Sequence, residues 1–489
     1  MIRIYLDWNV ISNLKQPEFQ EIFDFLKVNR GILLFPYTPA HFTDLMKSYT
    51  PNNDLFFHDL ETLELLCGKH LMRWEGEEGV KPLFATPKEY FEGEKNKEDL
   101  LDLMDMEKVF QDLNDSTVEL GLGKLGDLLK SMYQMQPSGI EITPENHDTL
   151  KKFFPNLEAN SSMWDLVKDF APFTQKLLYD REYYKDLRKI IEEQGMKLEA
   201  NSGNWNFDEV IRRIDDYLKK KGINLNYLDL VKSSMEHKKG KITQYEYYTT
   251  AYLMLDMFGY KMDKLPKPTD NMQNIQADAE HSFYGGHCDF LVAFDTKMRI
   301  KSKVLYNEFN ISTVIIEPTE LIPTISKAIH KLDSQINFLS EALSYCKEEY
   351  LVENHPISGE QNFEVNAFKL PNFYCNYFNY VILSNYPSQE GFVITFRKAF
   401  SNFSRFIYYT EAEKVVDTIT SYYGYENTDE LSRKKQALVY QDEDIDATID
   451  WAFEGGMIRL EYEEDTKRPI LSYIISTKNI SPSGEKDIE

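Results

Sequence analysis

Cysteine is scarce. The 489-residue chain has four, Cys67, Cys288, Cys346 and Cys375. They stand far apart and form no CxxC pair, which excludes a zinc knuckle and a disulfide framework and fits a reducing compartment. No stretch approaches the roughly 18 consecutive apolar residues of a membrane span. Met1 runs into a strand-like segment, not a basic-then-apolar leader. The expectation is a cytoplasmic protein with no membrane partner. Positive charge is in deficit: 55 Lys and Arg stand against 80 Asp and Glu, a net −25. That argues against a surface that attracts polyanions as a whole. It leaves room for a local basic groove, or for an acidic site that reaches phosphates through divalent metals. No fixed repeat period appears, so a solenoid is not expected.

What is present is enough apolar material, 42%, and enough Tyr and Phe, 31 of each, to fill the cores of two or three domains. The most informative stretch runs from Asp278 to Asp295. Asp278 and His281 are three apart and share one face of a helix, which Gly285-Gly286 ends. Phe290 to Phe294 is a continuous apolar run, the pattern of a strand buried on both faces. Asp295 follows directly. A carboxylate at the C-terminal end of a parallel strand lies where open α/β sheets bind ligands.

A second acid-tipped strand opens the chain: Ile2 to Leu6, then Asp7-Trp8-Asn9. Gly31 to Pro36 is another strand candidate, and Thr38-Pro39 starts a helix that carries His41, Asp44 and Leu45 on one face. An acid on a face turned toward a sheet needs a partner. After Asp295 a helix rich in basic residues includes Lys297 and Lys301, which lie four apart on one face. Ser312 to Ile316 is a further strand. The order of strands and helices is that of a doubly wound α/β sheet.

Between these halves, from Pro51 to about Pro268, apolar residues recur at helical spacing, as in Leu55 to Leu66, Leu100 to Phe110, Trp164 to Glu193 and Gln244 to Phe258. This predicts a large all-helical insertion, rejoined to the sheet through a linker at Leu265 to Pro268. Basic clusters at Lys219 to Lys221 and at Lys238-Lys239 read as solvated helix ends. Beyond Pro323 the expectation is a long helix to Tyr350, then a small α+β domain. Its antiparallel strands are Phe378 to Leu383, Gly391 to Phe396, Phe406 to Tyr409, and a hairpin of Met457 to Tyr462 with Ile470 to Ile475. Tyr374, Tyr377, Phe378 and Tyr380 offer rings that serve either as core or as base-stacking platforms. Asp442 to Asp444 reads as a solvated loop, and the tail after Lys478 as frayed.

Asp7 after the first strand, Asp44 on the second helix, Asp278 opening a later helix and Asp295 after the next strand resemble, as an ordered set, the acidic quartet of PIN-like domains. The local pattern D-x-E-H, then C-D-F-L-V-A-F-D, then a lysine-rich helix, resembles them too. Two departures stand out: the family often has Glu where Asp44 stands, and the separation of Asp44 from Asp278 is far longer than usual. The resemblance implies an α/β fold with a PIN-like parallel-sheet domain split by the all-helical insertion, and a C-terminal α+β domain. The corresponding boundaries are 1–50, 51–268, 269–322 and 323–489.

It further implies a metal-dependent endonuclease acting on nucleic acid, RNA ahead of DNA, with Mg²⁺ or Mn²⁺ as cofactor. Two such ions can clamp the attacking and leaving oxygens of a phosphodiester, and both prefer carboxylate and water oxygens. On this pattern Asp7, Asp44, Asp278 and Asp295 are catalytic metal ligands, direct or through water, and Asp289 is a further ligand or a group that supports one. Asn9, His281, Lys297 and Lys301 contact substrate. By analogy with the class, such a nuclease serves as a toxin or phage-defence effector, controlled by a protein partner or by homo-oligomerisation. Two alternatives stay open: a phosphohydrolase with Asp7 as nucleophile, and a catalytically inactive PIN-like regulatory or nucleic-acid-binding protein.

Overall fold

The computed structural model describes residues 1–95, 111, 151, 172–193, 197–199, 201–235, 240–267, 270–331, 338–355, 363–386, 391–398, 403–440, 446–453, 455–463 and 467–476. The expected helix over Leu100 to Phe110, the start of that at Trp164, Lys238-Lys239, Pro268, Asp442 to Asp444 and the tail after Lys478 lie outside the described residues.

In chain order the first part holds β1 (Ile2–Leu6), α1 (Trp8–Asn13), α2 (Gln20–Val28), β2 (Leu33–Leu34), α3 (Pro39–Met46), α4 (Asp54–Cys67), β3 (His70–Trp74), β4 (Val80–Phe84) and α5 (Pro87–Glu94). Next come α6 (Arg181–Glu193), α7 (Val210–Lys220), α8 (Tyr227–Ser233), α9 (Gln244–Met257) and α10 (Met272–Gly285). The sheet is completed by β5 (Phe290–Val292), α11 (Thr296–Glu308), β6 (Val314–Ile316) and α12 (Pro318–Ala328). Four strands form one parallel sheet in the order β2-β1-β5-β6, with Leu6 opposite Val292 and Phe290 opposite Val314.

Both faces of this sheet are covered, which is why its strands read as largely apolar, with Arg3 in β1 the exception. Side chains alternate across the pleat. Ile2, Ile4, Leu6, Leu33, Phe290 and Val292 point into one core, with α1, α4 and α12. Tyr5, Leu34, Leu291 and Ala293 point into the other, with α9, α10 and α11. The sheet centres on β1 and β5, so the acids at their C-terminal ends, Asp7 and Asp295, come out on the same edge. The Asp7 N–H extends the ladder by donating to the Val292 carbonyl at 2.9 Å.

The segment expected to be an all-helical insertion departs from that expectation in two ways. Residues 70–84 form the β3–β4 hairpin, whose turn is closed by Gly76 and Gly79 at positive φ. Next to it, α4 and α5 belong to the sheet domain: Phe56, Leu60, Leu63 and Phe91 share a core with Ile2, Ile4 and Leu6. A parallel bridge from Tyr37 to Leu71 sets the hairpin against the β2 edge, covering what would be an open strand. Further along, Tyr248, Tyr252 and Leu255 on α9 are fully buried in the second core. Leu265, expected in a free linker, is buried as well.

The remainder contains α13 (Phe338–Ser344), α14 (Tyr409–Tyr423), α15 (Thr428–Tyr440) and a seven-stranded antiparallel sheet. Its strands are β7 (Leu351–His355), β8 (Glu364–Tyr374), β9 (Phe378–Tyr386), β10 (Gly391–Arg397), β11 (Ile449–Phe453), β12 (Gly456–Glu463) and β13 (Arg468–Ser476). The expected hairpin is β12–β13, with Ile458 opposite Tyr473. The single helix expected from Pro323 to Tyr350 is instead α12, which contains Pro323, and the short α13. Phe406 to Tyr409 is not a strand; it leads into α14, and the Tyr408 N–H donates to Glu411 at 3.0 Å. Tyr374, Tyr377 and Phe378 are buried in the sheet's core and not available to bases.

A buried ionic cluster joins the two sheets at the edge opposite Asp7. Arg3 donates to Glu411 through Nε at 2.8 Å and Nη2 at 2.6 Å, and to the Phe406 carbonyl. Among the described residues no helix is long and apolar enough to cross a membrane.

Candidate active site

The C-terminal edge of the parallel sheet opens into a cleft of about 380 Å³ lined by Trp8, Asn9, Asp44, Lys47, Asp263, Leu265, Asp270, Asn274, Asp278 and Asp295. Three of the four acids of the expected quartet therefore line one cavity although they lie far apart in sequence. The fourth, Asp7, is 2% exposed and sits beneath it. Asp295 also caps α11, its Oδ1 accepting from the Met298 N–H at 2.7 Å, the stabilising role open to any acid that precedes a helix.

The acids are not electrostatically alike. Burial pushes the Asp7 carboxyl up; His281 opposes this, while Asp44 and Asp295 add repulsion. Burial pushes Asp278 well up; Lys301 pulls down, and Asp7, Asp295 and Asp263 push up. Asp44 is partly buried, but its hydrogen bond and charge pairing with His281, together with Lys47, outweigh that burial and bring it down to about 2. The distances are 3.0 Å from Asp44 Oδ2 to His281 Nε2 and 2.6 Å from Asp44 Oδ1 to Lys47 Nζ.

His281 is held from behind by a buried relay that sequence inspection did not reveal. Its Nδ1 lies 2.8 Å from the Tyr5 hydroxyl, which lies 2.8 Å from Thr38 Oγ1. Thr38 in turn donates its backbone N–H to His41 Nδ1 at 3.1 Å. His41 Nδ1 is thereby an acceptor, so Nε2 carries the proton and donates to the Leu6 carbonyl at 2.8 Å. Burial drives His41 down to about 3, leaving it neutral. His281 goes the other way: burial pushes it down, but the hydrogen bond to Asp44 and the charges of Asp7, Asp44 and Asp278 raise it, favouring the imidazolium. The Nε2 of His281 is 3.8 Å from Asp7 Oδ1. His281 is 1% exposed, so it orients Asp44 and Asp7 and does not contact substrate directly.

Besides His281, three expected site residues fall elsewhere or act differently. Asp289 precedes β5 and lies at the opposite edge of the sheet, where it accepts from the Arg3 N–H at 2.8 Å and pairs with Lys398 at 2.9 Å. It is no ligand of this cleft. Lys301 is fully buried, 3.5 Å from Asp256 and over the Tyr252 ring. Its charge reaches Asp278, but a phosphate does not reach it. Lys297 pairs with Asp263 at 2.8 Å and so meets the cleft only through that acid. Asn9 is exposed and lines the cleft.

Asp263, Asp270 and Lys47 were missed. The first two flank the proline-containing Leu265 to Lys267 segment, which looks like a plain linker, and Lys47 follows the helix that carries Asp44. Lys47 is the one cationic side chain among the described residues that line the cleft. It bridges Asp44 and Asn274 Oδ1, 3.2 Å away.

In donor type the lining suits a hard divalent cation: carboxylates, two asparagines, and no thiolate or imidazole among the described residues. Among the described residues, however, no group of three His, Cys, Asp or Glu side chains is gathered closely enough to grip an ion as they stand. Asp44 is occupied by His281 and Lys47, and Asp295 by its helix cap. Comparison of the chain with family models, with curated proteins and with solved structures gave no match.

Proposed function

We propose that the protein is a metal-dependent endonuclease that hydrolyses phosphodiester bonds, RNA ahead of DNA, at the cleft on the C-terminal edge of the parallel sheet. One observation carries this: Asp44, Asp278 and Asp295 line a single cavity, with Asp7 beneath. Burial raises the carboxyls of Asp7 and Asp278, and the neighbouring carboxylates add to the shift; a bound cation offsets both.

Asp44, Asp278 and Asp295 would hold Mg²⁺ or Mn²⁺, which supplies charge neutralisation for the phosphodiester and an activated water. Asp7, below them, supplies further negative charge. Engagement of Asp44 requires Lys47 to swing off its carboxylate, and the freed ammonium then faces the same cavity as a phosphate would. Tyr5, Thr38 and His41 keep His281 aimed at Asp44 and Asp7. Asn9 offers an amide to phosphate or water at the rim. The burial of Asp7 weighs against its use as a covalent nucleophile, which needs an oxygen open to in-line attack on phosphorus.

The test is cleavage of labelled RNA and DNA with Mg²⁺ or Mn²⁺, with EDTA, and with Asp295→Asn protein. Metal-dependent cleavage lost in Asp295→Asn is expected. Equal cleavage by wild type and variant would remove the site assignment. No cleavage of either nucleic acid would leave the inactive, regulatory alternative.

A further inference from the structure

A second cavity, of about 290 Å³, lies in the helical segment and is lined by Lys185, Arg188, Lys189, Glu192, Lys197, Met257, Met262 and Lys264. Five of these eight residues are cationic and one is acidic, in a chain whose net charge is −25. Lys185, Arg188, Lys189 and Glu192 follow the i, i+3, i+4, i+7 spacing of one face of α6. The cations have local partners: Lys185 with Glu182 at 3.5 Å, Lys189 with Glu193 at 3.9 Å and Lys197 with Glu192 at 2.8 Å. These are solvent-facing pairs, weak enough to exchange for a phosphate. Met257 and Met262 give the cavity an apolar floor.

Its position gives it meaning. The wall between this cavity and the acidic cleft is one chain thick. Met262 and Lys264 line the basic cavity, while Asp263 and Leu265, alternating with them, line the cleft. The wall is pinned from both sides. Arg188 Nη1 donates to the Asp263 carbonyl at 2.7 Å and to Asp256 at 3.1 Å, and the Asp263 N–H donates to Asp256 at 2.8 Å. From α11, Lys297 holds the Asp263 side chain at 2.8 Å.

We infer that the basic cavity binds a nucleotide of a single-stranded nucleic acid whose neighbouring phosphodiester occupies the cleft. This rests on the nuclease reading above. The thioether floor takes a base and the ammonium rim takes its phosphate, a combination that suits a nucleotide better than an inorganic anion or an apolar ligand. It also adds to Lys47, the single cation among the described residues that line the cleft, since Lys297 and Lys301 are engaged by Asp263 and Asp256.

The experiment is fluorescence anisotropy of a labelled single-stranded oligonucleotide over a salt series. It uses full-length Asp295→Asn protein with and without Lys189→Gln, Lys197→Gln and Lys264→Gln together, and bis(p-nitrophenyl) phosphate hydrolysis in the otherwise wild-type background. Each phosphate neutralised adds about 0.7 to the salt slope for a single strand. The triple variant should bind about tenfold more weakly with a slope shallower by about 2, while hydrolysis of the small diester, which needs only the cleft, is unchanged. Unchanged affinity and slope would overturn the inference. So would displacement of the oligonucleotide by an equal concentration of UMP or AMP, which would make the cavity a site for a free nucleotide. Failure of the nuclease reading shows separately, as wild-type protein inactive on every diester.

Discussion

Asp44→Asn and Asp278→Asn should move the stability of the metal-free protein in opposite directions. The carboxyl of Asp44 drops from its ordinary 3.8 to about 2, because His281 and Lys47 outweigh its burial. At about 1.4 kcal/mol per pH unit that corresponds to roughly 2 kcal/mol in favour of the folded state. The Asp44 side chain is only 17% exposed, so solvent screening takes little of this away. A depressed carboxyl contributes fully above its unfolded value and loses the contribution as pH falls through its folded one. The deficit of Asp44→Asn should therefore be complete at neutral pH and vanish as pH falls from 3.8 toward 2. Asp278 has the opposite sign. Burial raises it well above its ordinary value of 3.8, so it costs stability increasingly as pH rises from 3.8 toward the folded pKa and fully above that, and Asn removes that cost. The assay is urea unfolding in EDTA, followed by circular dichroism, at neutral and acid pH. The expectation for Asp44→Asn is a loss of about 2 kcal/mol; Asp278→Asn should gain. The reasoning is refuted if Asp44→Asn is neutral or stabilising, or if Asp278→Asn destabilises.

Lys301→Gln should lower stability by about 3–5 kcal/mol in the same unfolding assay, because it leaves Asp256 buried without a full partner set; an unchanged urea midpoint would mean that Lys301 is not a buried structural cation. Glu411→Gln should cost a similar ~3–5 kcal/mol, since Arg3 stays buried beside Lys398. In the wild type, Glu411 is brought down from 4.5 to about 2 by Arg3 and Lys398 against its burial. Its contribution should therefore fade as pH falls between those values; near-UV circular dichroism of an acid titration checks this, and a transition shared equally by wild type and Glu411→Gln would contradict it.

Much of the site was readable because the chemistry of a strand end is local. Ile2 to Leu6, Arg3 excepted, and Phe290 to Val292 are apolar, so the acids that follow them have no packing reason to be there, and Asp7 and Asp295 do meet at one sheet edge. Asp289 was misjudged although it lies in the same stretch. It precedes β5 where Asp295 follows it, and a parallel strand carries those two positions to opposite edges. Lys301 shares a helical face with Lys297, but one turn further along that face is covered by α9, whose Asp256 lies 45 positions away in sequence. Such a partner is invisible until the helices are packed. Asp263 was hidden for a different reason. Polar residues beside Pro266 look like linker, and only the hydrogen bonds to Asp256 and Arg188 turn the segment into a wall. The α4 and β3–β4 region looked like insertion because helix spacing reports amphipathicity, not which core receives the apolar face.

The most direct test of the central claim, that this carboxylate cleft binds divalent metal, is anomalous diffraction from crystals soaked in Mn²⁺. The prediction is anomalous density among Asp44, Asp278 and Asp295, with oxygen distances of about 2.0–2.3 Å and Lys47 displaced from Asp44, and loss of that density in Asp295→Asn crystals. A cleft without anomalous density, with Lys47 still on Asp44 in fully soaked crystals that show Mn²⁺ elsewhere, would contradict it.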